Sequence, residues 1–134
     1  MAAWVDTGFL VALFARDDKH HASSVSFLRA NQRLTLHSLW PVVSEASFFL
    51  NTKAKLAMLE WVESTEMIFH ELTSADLPAI RATLKKYSTL DPDFTDAALV
   101  TLANMHRIDQ IVTVDLRDFS AYRVNGKPFN RLWL

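Results

Sequence analysis

The sequence predicts an α/β fold, one domain over residues 1–134 in which a mostly parallel sheet is covered by helices on both faces. Three observations carry this expectation. Short apolar runs that suit buried strands alternate with segments whose apolar residues recur at helical spacing. No repeat, low-complexity tract or linker interrupts the alternation. Half of the 134 residues are apolar, enough for one sizeable core.

Residues 2–5 form a short apolar run that stops at Asp6, the pattern of a buried strand. Over residues 7–15, Phe9, Leu10, Leu13 and Phe14 recur at helical spacing. Asp18 suits the N-cap of a second helix, whose stripe of Ala22, Val25 and Leu28 runs to about Asn31. Residues 34–37 read as a second strand. Pro41 sits where a first helical turn tolerates proline, opening a helix through Glu45 to Leu50. Another helix is expected over residues 53–63 and a third strand over 67–72. Thr73 and Ser74 start the next helix, with Asp76 favouring its dipole and Leu77, Ile80, Leu84 and Tyr87 on its apolar side. Residues 93–106, dense in Ala and Leu, form a further helix, and 111–114 a strand that ends at Asp115. A tail strand is expected near 122–124, before a turn at Asn125-Gly126.

Composition removes several function classes. The absence of cysteine excludes a disulfide scaffold, a thiolate zinc site and a Cys nucleophile. Gly8 and Gly126 are too few and too far apart for a phosphate-cradling loop. With 14 basic and 15 acidic side chains, the protein does not coat nucleic acid by bulk charge, although a local basic patch stays open to it. The longest strongly apolar run, residues 8–15, is far too short to span a membrane. No basic segment opens the chain as in a secretory signal, so a soluble, cytoplasmic protein is expected.

Most acidic residues lie in polar surroundings, but Asp6, Glu45, Asp96 and Asp115 lie among apolar ones. Each has a bland reading. Asp6 can cap the following helix, Glu45 can line a polar helix face, Asp96 can complement a helix dipole, and Asp115 can open a turn. The joint pattern points elsewhere. In parallel sheets ligands bind beyond the carboxyl ends of the strands, and Asp6 and Asp115 both fall there. Carboxylates converging at that edge repel and raise one another's pKa unless a cation neutralises them, and an all-oxygen set favours Mg²⁺ or Mn²⁺. Asp93 and Asp118, each three residues from a candidate ligand, are auxiliary. Thr7 and Thr113 place hydroxyls beside strand-end aspartates, and read equally well as a cap and an ordinary strand residue.

The run Val5-Asp6-Thr7-Gly8-Phe9-Leu10-Val11-Ala12-Leu13, followed by Asp17-Asp18-Lys19-His20-His21, resembles the opening of PIN-domain proteins. Many of these are VapC-like toxin ribonucleases of toxin–antitoxin pairs. Val43-Ser44-Glu45-Ala46 is similar to their second acidic motif, Asp93-Phe94-Thr95-Asp96-Ala97-Ala98 to the third, and Ile111-Val112-Thr113-Val114-Asp115 to the fourth. Tyr122-Arg123 and Gly126-Lys127-Pro128-Phe129 match the tail of one subgroup, so the ordered resemblance covers essentially the whole chain.

The resemblance implies a three-layer α/β/α domain and a metal-dependent endoribonuclease, with Asp6, Glu45, Asp96 and Asp115 as the catalytic quartet that holds Mg²⁺ or Mn²⁺. It favours Asp96 over Asp93, because Ala97 follows Asp96 as in the family pattern. It departs at Gly8, where many relatives carry Ser. An RNA substrate, an antitoxin protein and a homodimer are the implied partners. Arg16, Lys19, Arg117 and Arg123 are candidate phosphate contacts, and each also reads as a solvated surface charge. Trp40, Phe48, Phe49, Trp61 and Trp133 read either as core or as a partner surface. Two rivals are weaker. An aspartyl-phosphate enzyme would show Asp where Gly8 stands, and a receiver-type domain would show Lys near Asp115. A PIN-like scaffold that binds RNA or protein without cutting remains the alternative.

Overall fold

Five of the seven short strands form one parallel sheet, and the other two pair as a separate hairpin. In the computed structural model, which describes residues 1–133, these strands are β1 (Ala2–Val5), β2 (Thr35–Ser38), β3 (Ile68–Phe69), β4 (Gln110–Val112), β5 (Arg123–Val124), β6 (Lys127–Pro128) and β7 (Asn130–Arg131). The helices are α1 (Thr7–Phe14), α2 (His21–Ala30), α3 (Trp40–Ser47), α4 (Thr52–Ser64), α5 (Leu77–Lys86), α6 (Phe94–His106) and α7 (Leu116–Ala121). The sheet order is β3-β2-β1-β4-β7, with every neighbouring pair parallel. On the helical side α1 packs against α2, α3 and α4, while α5 packs against α6. The expected three-layer α/β/α class is the one observed.

Topology decides where a ligand can sit. From β1 the chain moves one way to β2 and β3, then returns across β1 to β4. The order therefore reverses between β1 and β4, and the crevice beyond their carboxyl ends is the switch point of the sheet. Trp4 and Val5 are completely buried because β1 is central, paired through Trp4↔His37 on one side and Trp4↔Ile111 on the other. The Trp4 indole N–H donates to the Ile108 carbonyl at 3.1 Å, which satisfies its one polar atom. Ala97 to Ala103 of α6 are buried without interruption, which explains the density of small residues there. The one hydroxyl among them, on Thr101, is paired with the Ala97 carbonyl and with Thr83.

Several sequence boundaries need correction. Asp18 caps no helix: its Oδ1 accepts from the His20 amide in a turn, and α2 starts at His21. The third strand shrinks to Ile68–Phe69, because it lies at the sheet edge and pairs only with β2. The helix at Pro41 ends at Ser47 rather than Leu50. After Asp115, for which a turn was one of two readings, the chain forms α7, and β7 adds an edge strand against β4 that no pattern announced. The tail pairs as a separate β5–β6 hairpin. Its turn holds Asn125 and Gly126 at φ 51° and 83°, the two left-handed positions of a tight hairpin turn. A core role fails for Trp40, Phe48 and Phe49, which are 51%, 78% and 69% exposed. Trp61 and Trp133 are half-buried against the core. Among the described residues, no helix is long and apolar enough to cross a membrane.

Candidate active site

Asp6 follows directly on β1, where its backbone amide makes the last ladder bond to Val112 of β4 at 3.2 Å. Its side chain caps no turn of α1. Instead Oδ2 accepts from the Thr113 hydroxyl at 2.9 Å, and that same hydroxyl oxygen accepts from the Asp115 amide at 2.9 Å. Thr113, itself fully buried, therefore ties the carboxyl ends of β1 and β4 together. Thr7 opens α1, and its backbone amide supports the Asp6 carboxylate.

The other acids arrive on helix starts. Asp93 caps α6, its Oδ1 accepting from the Asp96 amide at 2.8 Å, so Asp93 is occupied by the helix while Asp96 in the first turn is not. Asp115 likewise caps α7 through the Asp118 amide at 3.0 Å. These two caps turn Asp96 and Asp118 toward the same space. One oxygen each from Asp96, Asp115 and Asp118 lie within 4.8 Å of one another. Glu45 comes from α3 and has a buried Oε2 without a hydrogen-bond partner among the described residues.

Electrostatics show the strain of the assembly. Burial pushes the Asp6 carboxyl up to about 6, an effect reinforced by Asp115 and Glu45 and opposed by the Thr7 amide and the Thr113 hydroxyl. Burial, then Asp6, Asp93, Asp115 and Glu45, push Asp96 up to about 8. The four sequence-selected acids thus act on one another, with Asp93 and Asp118 beside them. An oxygen-only set with mutual repulsion and an unpartnered buried carboxylate oxygen fits a divalent cation.

The candidate cations divide. Arg117 is exposed on α7, one residue from Asp118. Arg16 and Lys19 are exposed beyond the far end of α1, whose eight residues put about 12 Å between its termini. One guanidinium nitrogen of Arg123 donates to the carbonyls of Ser120, Ala121 and Tyr122 and closes the end of α7. Sequence reasoning passed over Tyr122 as a site residue. It is completely buried, its hydroxyl lacks a partner among the described residues, and burial together with Asp96, Asp118, Asp115 and Asp93 pushes its phenol well above the usual tyrosine range.

Gly8 bears on the same site. A Cβ built there would lie 2.5 Å from Val114 Cγ2, on the residue that precedes Asp115. Gly8→Ser is therefore expected to displace Val114, cost about 1–3 kcal/mol and lower activity instead of adding a useful hydroxyl. Gly8→Ser combined with Val114→Ala should recover most of the loss. Thermal unfolding and cleavage rates of the single and double variants check this, and a fully active Gly8→Ser protein would refute it.

A doubly covered parallel sheet with carboxylates gathered at its switch point defines an acidic-site α/β domain able to bind a divalent metal. The chain belongs to the PIN domain family, whose signature matches residues 3–125. It is similar to ribonuclease VapC26 of Mycobacterium tuberculosis, with 28% identity over 126 residues that cover 91% of this chain and 93% of that protein. Among solved structures it is similar to VapC20 of Mycobacterium tuberculosis, described as a sarcin-ricin loop cleaving toxin. The two folds superpose with a TM-score of 0.79 at 21% identity, covering 96% of this chain and 100% of that one.

Proposed function

We propose that this protein is a metal-dependent endoribonuclease and the toxin of a cytoplasmic toxin–antitoxin pair. The observation that carries the reading is the convergence of Asp96, Asp115 and Asp118 oxygens beside Asp6 and Glu45 at the sheet's switch point. Asp6, Glu45, Asp96 and Asp115 would hold Mg²⁺ or Mn²⁺, with Asp118 as a further donor. When bound, the cation lowers the pKa of water and offsets the charge that builds on the phosphate.

The chain's own residues do the rest. Thr113 fixes the Asp6 carboxylate and the Asp115 backbone in one unit, so the two strand ends cannot drift apart. Glu45 Oε2, buried and unengaged, is the acceptor for the proton of the attacking water. Arg117 stands nearest in sequence to the acids and supplies positive charge for the backbone of a single-stranded or looped RNA. The exposed Trp40, Phe48 and Phe49, with Leu56 and Leu59 of α4, offer apolar surface to a protein partner, either an antitoxin or a second copy of the chain.

The test is a time course on labelled single-stranded and stem-loop RNA with Mg²⁺ or Mn²⁺ against EDTA. Cleavage confined to the metal-containing reactions is expected. Cleavage that continues undiminished in EDTA overturns the metal dependence, and no cleavage of any RNA overturns the nuclease reading and leaves the non-cutting scaffold.

A further inference from the structure

Tyr122 stands at the end of α7 with its ring edge-on to Phe119 at 5.1 Å and to Tyr87 at 5.0 Å between centroids. Those contacts account for the ring and leave the hydroxyl unexplained. Tyr87, next to it, has its oxygen engaged by the Arg123 amide at 3.0 Å, whereas the Tyr122 oxygen is buried without a partner among the described residues. An unsatisfied buried hydroxyl costs about 1–3 kcal/mol, and phenylalanine would fill the same space without that cost. The charges that bear on this phenol are all carboxylates, Asp96 foremost and then Asp118, Asp115 and Asp93. Three of those four are the acids whose oxygens converge. A phenol in that company keeps its proton and can serve them only as a donor.

We propose that Tyr122 is a positioning residue whose hydroxyl donates to the Asp96 carboxylate when a divalent cation occupies the acidic site, an inference that rests on the metal-site reading above. A carboxylate has two oxygens and several lone pairs, so one oxygen can face the cation while the other takes the phenol proton. Bonds of this kind fix the rotamer of a metal-ligating side chain, and their loss typically weakens metal affinity by about 10–100-fold.

Tyr122→Phe separates this role from packing. Mn²⁺ affinity is measured by titration calorimetry at several pH values, and thermal unfolding is measured in EDTA. The expected result is Mn²⁺ binding weaker by about tenfold or more, with a melting temperature in EDTA equal to or above wild type. Tyr87→Phe is the control: it should lower the melting temperature and leave Mn²⁺ affinity unchanged. Unchanged Mn²⁺ affinity in Tyr122→Phe, a lower melting temperature in EDTA, or an equal loss of affinity in Tyr87→Phe overturns the proposal. A wild-type protein that binds no Mn²⁺ overturns the metal-site reading itself, and is told apart by its own titration.

Discussion

Asp96→Asn is expected to abolish RNA cleavage and, in the same protein, to raise the melting temperature of the metal-free state at neutral pH. Both effects have one cause. Asp96 is pushed up to about 8 by burial first and then by Asp6, Asp93, Asp115 and Glu45. The unfolded carboxyl titrates near 3.8, so the folded state holds a proton that the unfolded state releases. Stability linked to this group is therefore greatest in acid and is lost as pH rises from about 4 to about 8. At pH 7.5 the penalty is on the order of 3 kcal/mol after a discount for partial exposure.

Asparagine keeps the shape and removes the charge. The variant should melt about 5–10 °C higher in EDTA, while losing ~100-fold or more in cleavage because a ligand matters at least as much as the groups that orient it. Adding Mn²⁺ should raise the wild-type melting temperature and leave the variant's nearly unchanged, closing the gap. Thermal unfolding with and without EDTA, beside a cleavage assay, checks all three. A variant that is less stable than wild type without metal would show that the carboxylates do not repel one another, and the metal reading would lose its physical basis.

The architecture, and the nearness of Asp6, Glu45, Asp96 and Asp115 to one another, were legible because both rest on local pattern. Ala2–Val5 is apolar throughout because β1 is central and buried, and Asp6 marks its end. Asp96 was separable from Asp93 by resemblance alone, and the geometry supplies the reason: Asp93 occupies the N-cap. What the sequence hid was long-range. β7 is two polar, exposed residues whose pairing with β4 depends on where the hairpin turns the chain. Thr113 could be read as an ordinary strand residue until the Asp6 carboxylate was found 107 positions away against it. Tyr122 gave no signal, since a buried tyrosine and a buried phenylalanine leave the same apolar pattern. Arg16 and Lys19 look adjacent to Asp6 along the chain, yet a helix carries them to its far end. Trp40, Phe48 and Phe49 have core composition yet are exposed, a fact that no local pattern reveals.

A second large effect belongs to the other end of α6. His106 closes that helix ten residues from Asp96, about 15 Å along its axis, and meets His37 from β2 and His70 from beyond β3 around Trp4. His70 lies 4.4 Å from His106 and 5.1 Å from His37 between ring centroids, and His37 Nδ1 sits 2.8 Å from His70 Nε2. One of those two nitrogens must donate and the other accept, so the pair cannot survive as two imidazolium ions. Burial, then His106 and His37, hold His70 down to about 4, and burial with His106 lowers His37. The unfolded chain thus takes the proton first, and stability is lost as pH falls from about 6.5 to about 4. His70→Gln removes that titration. At pH 7 the variant should be less stable than wild type, because it gives up the ring contacts with Trp4 and His106. By pH 4.5 the difference should narrow or reverse by about 2 kcal/mol. Asp6 and Asp96 titrate over the same range with the opposite sign, but they do so in both proteins and cancel from the comparison. Urea midpoints of the two proteins in EDTA at pH 7 and 4.5 make the measurement. A difference that does not change with pH would mean that His37 and His70 are not held down by their burial and stabilise the sheet face by packing alone.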